Sequence, residues 1–348
     1  MVFERRTVFV VGAGGSRELG LPMGAELAAD IAKRVKFTFP DGYNPEGGDK
    51  NIYWAVQSVL ERNGQRDPNP LFHAGQAISR AMSQAISIDN FLHTHAHDKN
   101  IALMGKLGIA AAILDAERRS RIFFHKQEDG RDQIDFAHVP DSWHLVFVKM
   151  LLEQSIRKDI SAVFDNVSII TFNYDRCIEK YIIGSLQNYL GLNTMEAEML
   201  MSKLEIVHPY GQVGQLGTSS ERGVAFGERL DVLDLPSVAA QIRTFTEGVE
   251  NENLLLRMRR LLAEAEVVVY LGFSFGDMNM ELMSLEQAGE RVVYGTSLGV
   301  SRANQRVIEQ DILASMGPDQ SVVTALNLEP MTCLDFLNAY WKPIIRGV

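Results

Sequence analysis

Cysteine is nearly absent from this sequence: 348 residues contain only Cys177 and Cys333, far apart along the chain. Two thiols cannot build a four-thiolate zinc site, and a secreted disulfide framework is not expected. An excess of basic charge is missing too. Lys and Arg number 34 against 44 Asp and Glu, a net charge of −10. Nucleic-acid binding rests on cations that neutralise phosphates, so direct binding of DNA or RNA is not expected. No stretch approaches the roughly 20 apolar residues of a membrane span. The short apolar run in MVFERRTVFVVG leads into a glycine turn rather than a cleavage site, so a cytoplasmic location is expected. No G-K-[ST] occurs, which excludes a P-loop.

What is present reads as an ordinary globular chain, 46% apolar and 22% charged. At this length a core forms without disulfides or metal. Thr7-Val8-Phe9-Val10-Val11 is β-branched and almost wholly apolar, the mark of a strand buried on both faces of a parallel sheet. It enters Gly12-Ala13-Gly14-Gly15-Ser16, and a helix is expected over about 24–35. Further strands are expected at Val167–Thr171, Leu204–Val207, Val267–Leu271 and Arg291–Tyr294, each ending in glycine or polar residues. Strand ends of an open parallel sheet form the ligand crevice. Between the first and second strands, 37–65 reads as a Gly/Pro/Asn-rich loop, and 71–160 reads as mainly helical with an irregular segment near 130–142. The expected fold is α/β: a Rossmann-like open parallel sheet flanked by helices. Residues 1–36 and 161–300 form the sheet domain, 37–160 a helical insertion, and 301–348 a C-terminal extension suited to assembly.

The glycine turn allows close backbone approach, and the helix after it offers N–H groups to a phosphate. A tight turn without a ligand fits as well. The dinucleotide pattern G-x-G-x-x-G fails at Arg17, and the acidic residue expected about 20 positions later is missing. Asn173 and Asp175 follow a strand and precede a helix, where they can serve as helix caps. Ser87-Ile88-Asp89-Asn90-Phe91-Leu92 is followed by His93, His95 and His97. Residues two apart on a helix do not face each other, so shared metal ligation is disfavoured and a solvated or capping cluster is expected. A lining of the nucleotide site is the other reading. Serine-hydrolase chemistry is not expected.

Three blocks together carry a resemblance. Gly12-Ala13-Gly14-Gly15-Ser16 with Gly20-Leu21-Pro22 resembles the sirtuin opening, G-A-G-x-S followed by G-[IL]-P. Thr171-Phe172-Asn173-Tyr174-Asp175 resembles the T-x-N-x-D segment of sirtuin-like bacterial proteins, and Leu271 to Asp277 resembles the family's third block. The resemblance implies an NAD-binding site. Gly12, Ala13, Gly14 and Ser16 would cradle the pyrophosphate. Gly272 and Ser274 would hold the ribose, and Asp277 in the same block would also contact the NAD. Asn173 would orient water at the anomeric carbon, and Asp175 would face the nicotinamide carboxamide. Sirtuins place a histidine before the glycine at a strand end. Here Tyr210 precedes Gly211 and His208 lies two residues upstream, so either could take that role.

Two departures bear on the activity. The paired C-x-x-C zinc module is absent, and Phe172 stands where deacetylase sirtuins carry glutamine. Both favour the zinc-free, NAD-consuming branch of bacterial anti-phage defence. The implied activity is NAD glycohydrolysis, which releases nicotinamide and ADP-ribose with NAD as substrate and no metal. The implied control is self-assembly as a homo-oligomer, or a partner such as a HerA-type ATPase or another sensor protein. A non-catalytic NAD- or ADP-ribose-sensing module is the alternative, and a zinc-free deacylase or ADP-ribosyltransferase is a third reading.

Overall fold

Six strands form one open, all-parallel sheet in the order β3-β2-β1-β4-β5-β6. They are β1 (Thr7–Val11), β2 (Val167–Thr171), β3 (Glu205–Val207), β4 (Val267–Leu271), β5 (Arg291–Thr296) and β6 (Val323–Glu329). The computed structural model describes residues 3–42, 44–123, 134–155, 160–217 and 223–347. The strand order is that of a doubly wound nucleotide-binding sheet, so the expected fold class holds. β1 pairs in register with both neighbours: Thr7 lies beside Val167 and Val267, and Val11 beside Thr171 and Leu271.

Both faces of the sheet are covered, which is why its central strands read as unbroken apolar runs. Val8, Val10, Ile170, Val268, Tyr270 and Val293 point to one face. There they meet the helices Gly24–Arg34, Lys50–Arg62, Asn69–Ala81, Lys99–Arg119, Glu252–Glu264 and Arg302–Ser315. Phe9, Val11, Ile169, Val269 and Leu271 point to the other face, against Trp143–Ser155, Cys177–Leu190, Thr194–Met201 and Cys333–Arg346. The helix Lys99–Arg119 is apolar around most of its circumference because it is the centre of the helical layer between β1 and β2.

The structure departs from the sequence reading in two elements. Within 37–65, read as loop, Lys50–Arg62 is a helix: Ile52, Val56 and Leu60 recur at helical spacing, and the Asp49 side chain accepts from Asn51 N. The glycines and prolines before it dominated the window. At the other end, 301–348 supplies the helix Arg302–Ser315, the edge strand β6 and the helix Cys333–Arg346, which packs under the sheet. In the expected loop near 130–142, residues 130–133 lie outside the described residues, and Phe136–His138 makes a single 3-10 turn. Residues 156 and 157, at the end of the expected helix from Trp143, also lie outside them.

His144 lies against the rings of Trp143 and Tyr181, with centroids 4.1 and 5.3 Å away. Among the described residues neither of its ring nitrogens has a partner. Burial pushes its pKa down to about 3. An unfolded imidazole titrates near 6.5, so between those values the unfolded chain takes a proton that the folded chain refuses. Stability therefore drains away as pH falls, at about 1.4 kcal/mol per unit. Relative to wild type, His144→Phe is expected to gain about 2 kcal/mol between pH 7.5 and pH 5, read by denaturant unfolding at both. A difference that does not change with pH contradicts this.

Candidate active site

The crossovers from β1 and β4 leave the sheet in opposite directions, so the crevice of a doubly wound sheet lies between their carboxyl ends. Here the two turns touch through backbone. Gly12 N and Gly14 N donate to the carbonyls of Leu271 and Gly272, at 3.1 and 3.0 Å. A Cβ at Gly12 would stand 2.7 Å from the Gly272 oxygen, and one at Gly14 would stand 2.8 Å from the Gly272 Cα. Gly272 has φ +56°, and a Cβ there would lie 2.2 Å from Gly15 N. These glycines are demanded by the approach of the two turns before any ligand is considered. Ala13 is exposed at the crest of the turn, and Gly14 is half-buried.

Ser16 follows and faces β2. Its hydroxyl donates to Asp175 Oδ1 at 3.0 Å and accepts from Asn173 Nδ2 at 3.0 Å. Asn173 and Asp175 thus converge on one hydroxyl. Asp175 Oδ1 also accepts from Cys177 N at 3.1 Å, so the capping role coexists with the site. With its Nδ2 committed to Ser16, Asn173 Oδ1 is buried with no hydrogen-bond partner among the described residues. Buried polar atoms are normally satisfied, so Asn173 Oδ1 is an acceptor suited to a ligand or water. Burial pushes the Asp175 carboxyl up to about 6, and the nearby Glu117 charge adds to the rise against the opposing Cys177 N–H and Ser16.

His208 and Tyr210 flank this cluster without bonding to it through free atoms. The His208 Nδ1 pairs with the Asn173 carbonyl oxygen at 3.2 Å, and its Nε2 with Glu179 Oε1 at 2.9 Å. Burial pulls the ring's pKa down, but the Glu179 carboxylate more than offsets it, and the net shift is upward. Both nitrogens are engaged, so His208 acts on the site through the Asn173 backbone. The Tyr210 hydroxyl donates to Asn279 Oδ1 at 2.7 Å, and its ring stacks near Tyr174, 6.4 Å between centroids. Burial raises the Tyr210 pKa far above its usual value, which leaves the phenol a donor rather than a base.

Gly272 N donates to Thr296 Oγ1 at 2.9 Å, which ties the turn after β4 to the end of β5. Ser274 and Asp277 are exposed beyond it. Contrary to the expectation of no serine-hydrolase chemistry, Gly272-Phe273-Ser274-Phe275-Gly276 has the G-x-S-x-G spacing of a nucleophile elbow between strand and helix. The non-glycine residue with positive φ there is Phe275, at +55°, rather than Ser274, and among the described residues no histidine hydrogen-bonds Ser274. The elbow therefore lacks its base. His93 Nδ1 faces Thr246 Oγ1 at 3.3 Å and His95 Nδ1 faces the Phe91 carbonyl at 3.0 Å. Among the described residues no three His, Cys, Asp or Glu side chains converge on a metal position, and no helix is long and apolar enough to cross a membrane.

Sequence reasoning missed Glu179, Asn279 and Asp89, which hold His208, Tyr210 and Tyr174 respectively. Asp89 sits inside the Ser87–Leu92 motif, but attention there went to the histidines. Glu179 and Asn279 carry no local signal, since only the fold brings them to the strand ends.

No family model and no curated protein matches the chain. Among the solved structures that match, a Sir2 homolog–NAD complex aligns with 99% of this chain and 91% of its own, at 11% identity and a TM-score of 0.40. What the site can do is read from its own residues.

Gly272→Ala is expected to lose about 2–5 kcal/mol of stability, because it adds both backbone strain and an impossible contact. Ala13→Ser, on the exposed crest, is expected to stay within about 0.5 kcal/mol of wild type. Urea midpoints compare the two. Equal midpoints would mean that the two turns do not approach as described.

Proposed function

We propose that the chain is a zinc-free, sirtuin-like NAD glycohydrolase. The observation that carries this reading is the Asn173 carboxamide, pinned through its nitrogen by Ser16 with its oxygen left buried and unpaired. Hydrolysis breaks the bond between the ribose anomeric carbon and the nicotinamide nitrogen. The electron pair leaves with a neutral nicotinamide, and positive charge develops on the ribose. Asn173 Oδ1 accepts a hydrogen bond from water and directs the water oxygen to the anomeric carbon. The water's proton passes to solvent, and ADP-ribose is the second product. Asp175 is the anionic neighbour of the developing charge, and Ser16 fixes it relative to Asn173. His208 holds the Asn173 carbonyl, and Tyr210 lines the crevice beside it. The exposed crest at Ala13 offers the pyrophosphate its place, with the Gly12 and Gly14 N–H groups bonded to the turn after β4 rather than to the ligand, and Gly272, Ser274 and Asp277 the ribose side. Anti-phage defence by NAD depletion belongs to the same reading, with self-assembly or a HerA-type ATPase as the controlling partner. It rests on the three sequence blocks.

A second reading is a non-catalytic NAD- or ADP-ribose-sensing module. It is favoured by His208, whose two nitrogens are both spoken for and leave the site without a free imidazole. Calorimetry with NAD beside an assay of nicotinamide release separates the two: a sensor binds NAD and leaves it intact.

Asn173→Ala is expected to lower nicotinamide release by about 10²–10³-fold, the usual cost of removing one group that acts in the transition state, while keeping much of the NAD affinity. Unchanged turnover in that variant would refute the mechanism. The ionised Asp175 is required, so turnover is expected to fall as pH drops through about 6. In Asp175→Asn the rate is lower and that inflection disappears. An inflection kept in the variant assigns the titration to another group.

A further inference from the structure

Asn173 Oδ1 is closed off from solvent in this conformation, so anything that reaches it must first displace a covering segment. One short element touches the loops around the carboxyl ends of the sheet. The helix Ile88–Thr94 receives the Tyr174 hydroxyl on Asp89, between the two site residues that follow β2. Its Asn90 Nδ2 lies 3.4 Å from the sulfur of Met278, on the helix that follows β4. Its His93 faces Thr246 and meets the ring of Phe245 edge-on at 4.8 Å, in the segment between β3 and β4.

The helix is held weakly for its position. Ile88 and Leu92 are buried and Phe91 packs against the same cluster, while Asp89, Asn90 and His93 reach the neighbouring loops through polar contacts. Non-helical connectors flank it at 83–87 and 95–98, and Ile86 within the first is 86% exposed. A seven-residue helix with two fully buried apolar side chains, set between two non-helical connectors, is a small unit of the kind that opens before the core does. By contrast, Lys99–Arg119, directly after it, is buried almost throughout.

We propose that Ile88–Thr94 is a lid over the nucleotide crevice, latched shut by Asp89 on Tyr174, and that it must open for NAD to enter. The proposal rests on the reading of this crevice as the NAD site. The closed lid sets the resting rate, since a site that is open only part of the time binds with its affinity reduced by that fraction. Burial raises the Asp89 carboxyl above its ordinary range, and the Tyr174 hydroxyl works against that rise.

Amide hydrogen exchange of the full chain tests the motion without any nucleotide. Residues 88–94 are expected to exchange far faster than 101–116, and Asp89→Ala is expected to speed them by a further ten-fold or so, as for the loss of a hydrogen bond to a charged group. Tyr174→Phe removes the same bond and gives the same result should Asp89→Ala not fold. Exchange at 88–94 that is as slow as in 101–116 and unmoved by either variant overturns the lid. A second arm reads access. Asn90→Cys with Met278→Cys, joined by a short cross-linker that reductant cleaves, is expected to lose NAD binding and regain it on reduction; the native Cys177 and Cys333 are buried. Undiminished NAD binding while cross-linked overturns the lid. Absence of NAD binding in wild type and in the reduced variant refutes the NAD reading instead, and hydrogen exchange still decides the lid.

Discussion

Everything at the candidate site depends on one constraint: the backbones of two strand-end turns meet where no Cβ can fit. Gly12 and Gly14 after β1 press on Gly272 after β4, and two hydrogen bonds close the contact. Because the turns are fixed to each other, the short helix that begins at Ala13 has one possible course, and Ser16 is delivered to the end of β2. The hydroxyl then orients both Asn173 and Asp175. A glycine-rich turn thus does structural work first, and its chemical consequence appears three residues later in a side chain.

A second, buried interaction carries the influence of the helical layer into the site. Arg176, next to Asp175, is fully buried and paired with the equally buried Glu117 at 2.5 Å. Glu117 also accepts from the Arg176 and Gly227 backbone N–H groups, and Arg176 donates to the carbonyls of Val224 and Ala225. A desolvated pair of this kind adds little net stability, but removing one partner strands a charge at a cost of about 3–5 kcal/mol. Its value is in placement: it joins the last turn of Lys99–Arg119 to the segment after β2 and to the loop after β3. Glu117 also helps raise the Asp175 carboxyl, so the charge state of the site is set partly from a helix outside the sheet.

The five strands read from sequence were legible because burial on both faces leaves an unmistakable run of apolar residues. β6 was not, because an edge strand with one wet side alternates as Val323-Thr324-Ala325-Leu326 and resembles a loop. The helix Lys50–Arg62 was masked by the glycines and prolines just before it. At the site, Ser16, Asn173 and Asp175 could be found as a group since each directly follows a strand or a glycine turn. The partners that limit their chemistry could not. Glu179, Asn279 and Asp89 are ordinary polar residues on helices, and only the packing of those helices brings them to His208, Tyr210 and Tyr174. The same packing occupies the imidazole of His208, a fact that spacing along the strand could not reveal.

The most direct test of the account is a crystal structure of the protein with ADP-ribose bound. The account predicts the diphosphate along the Gly12–Ala13–Gly14 turn and the anomeric end of the ribose within hydrogen-bonding distance of Asn173 Oδ1, with Ile88–Thr94 displaced from Tyr174. ADP-ribose bound away from Ser16, Asn173 and Asp175, with Asn173 Oδ1 still enclosed, would contradict it.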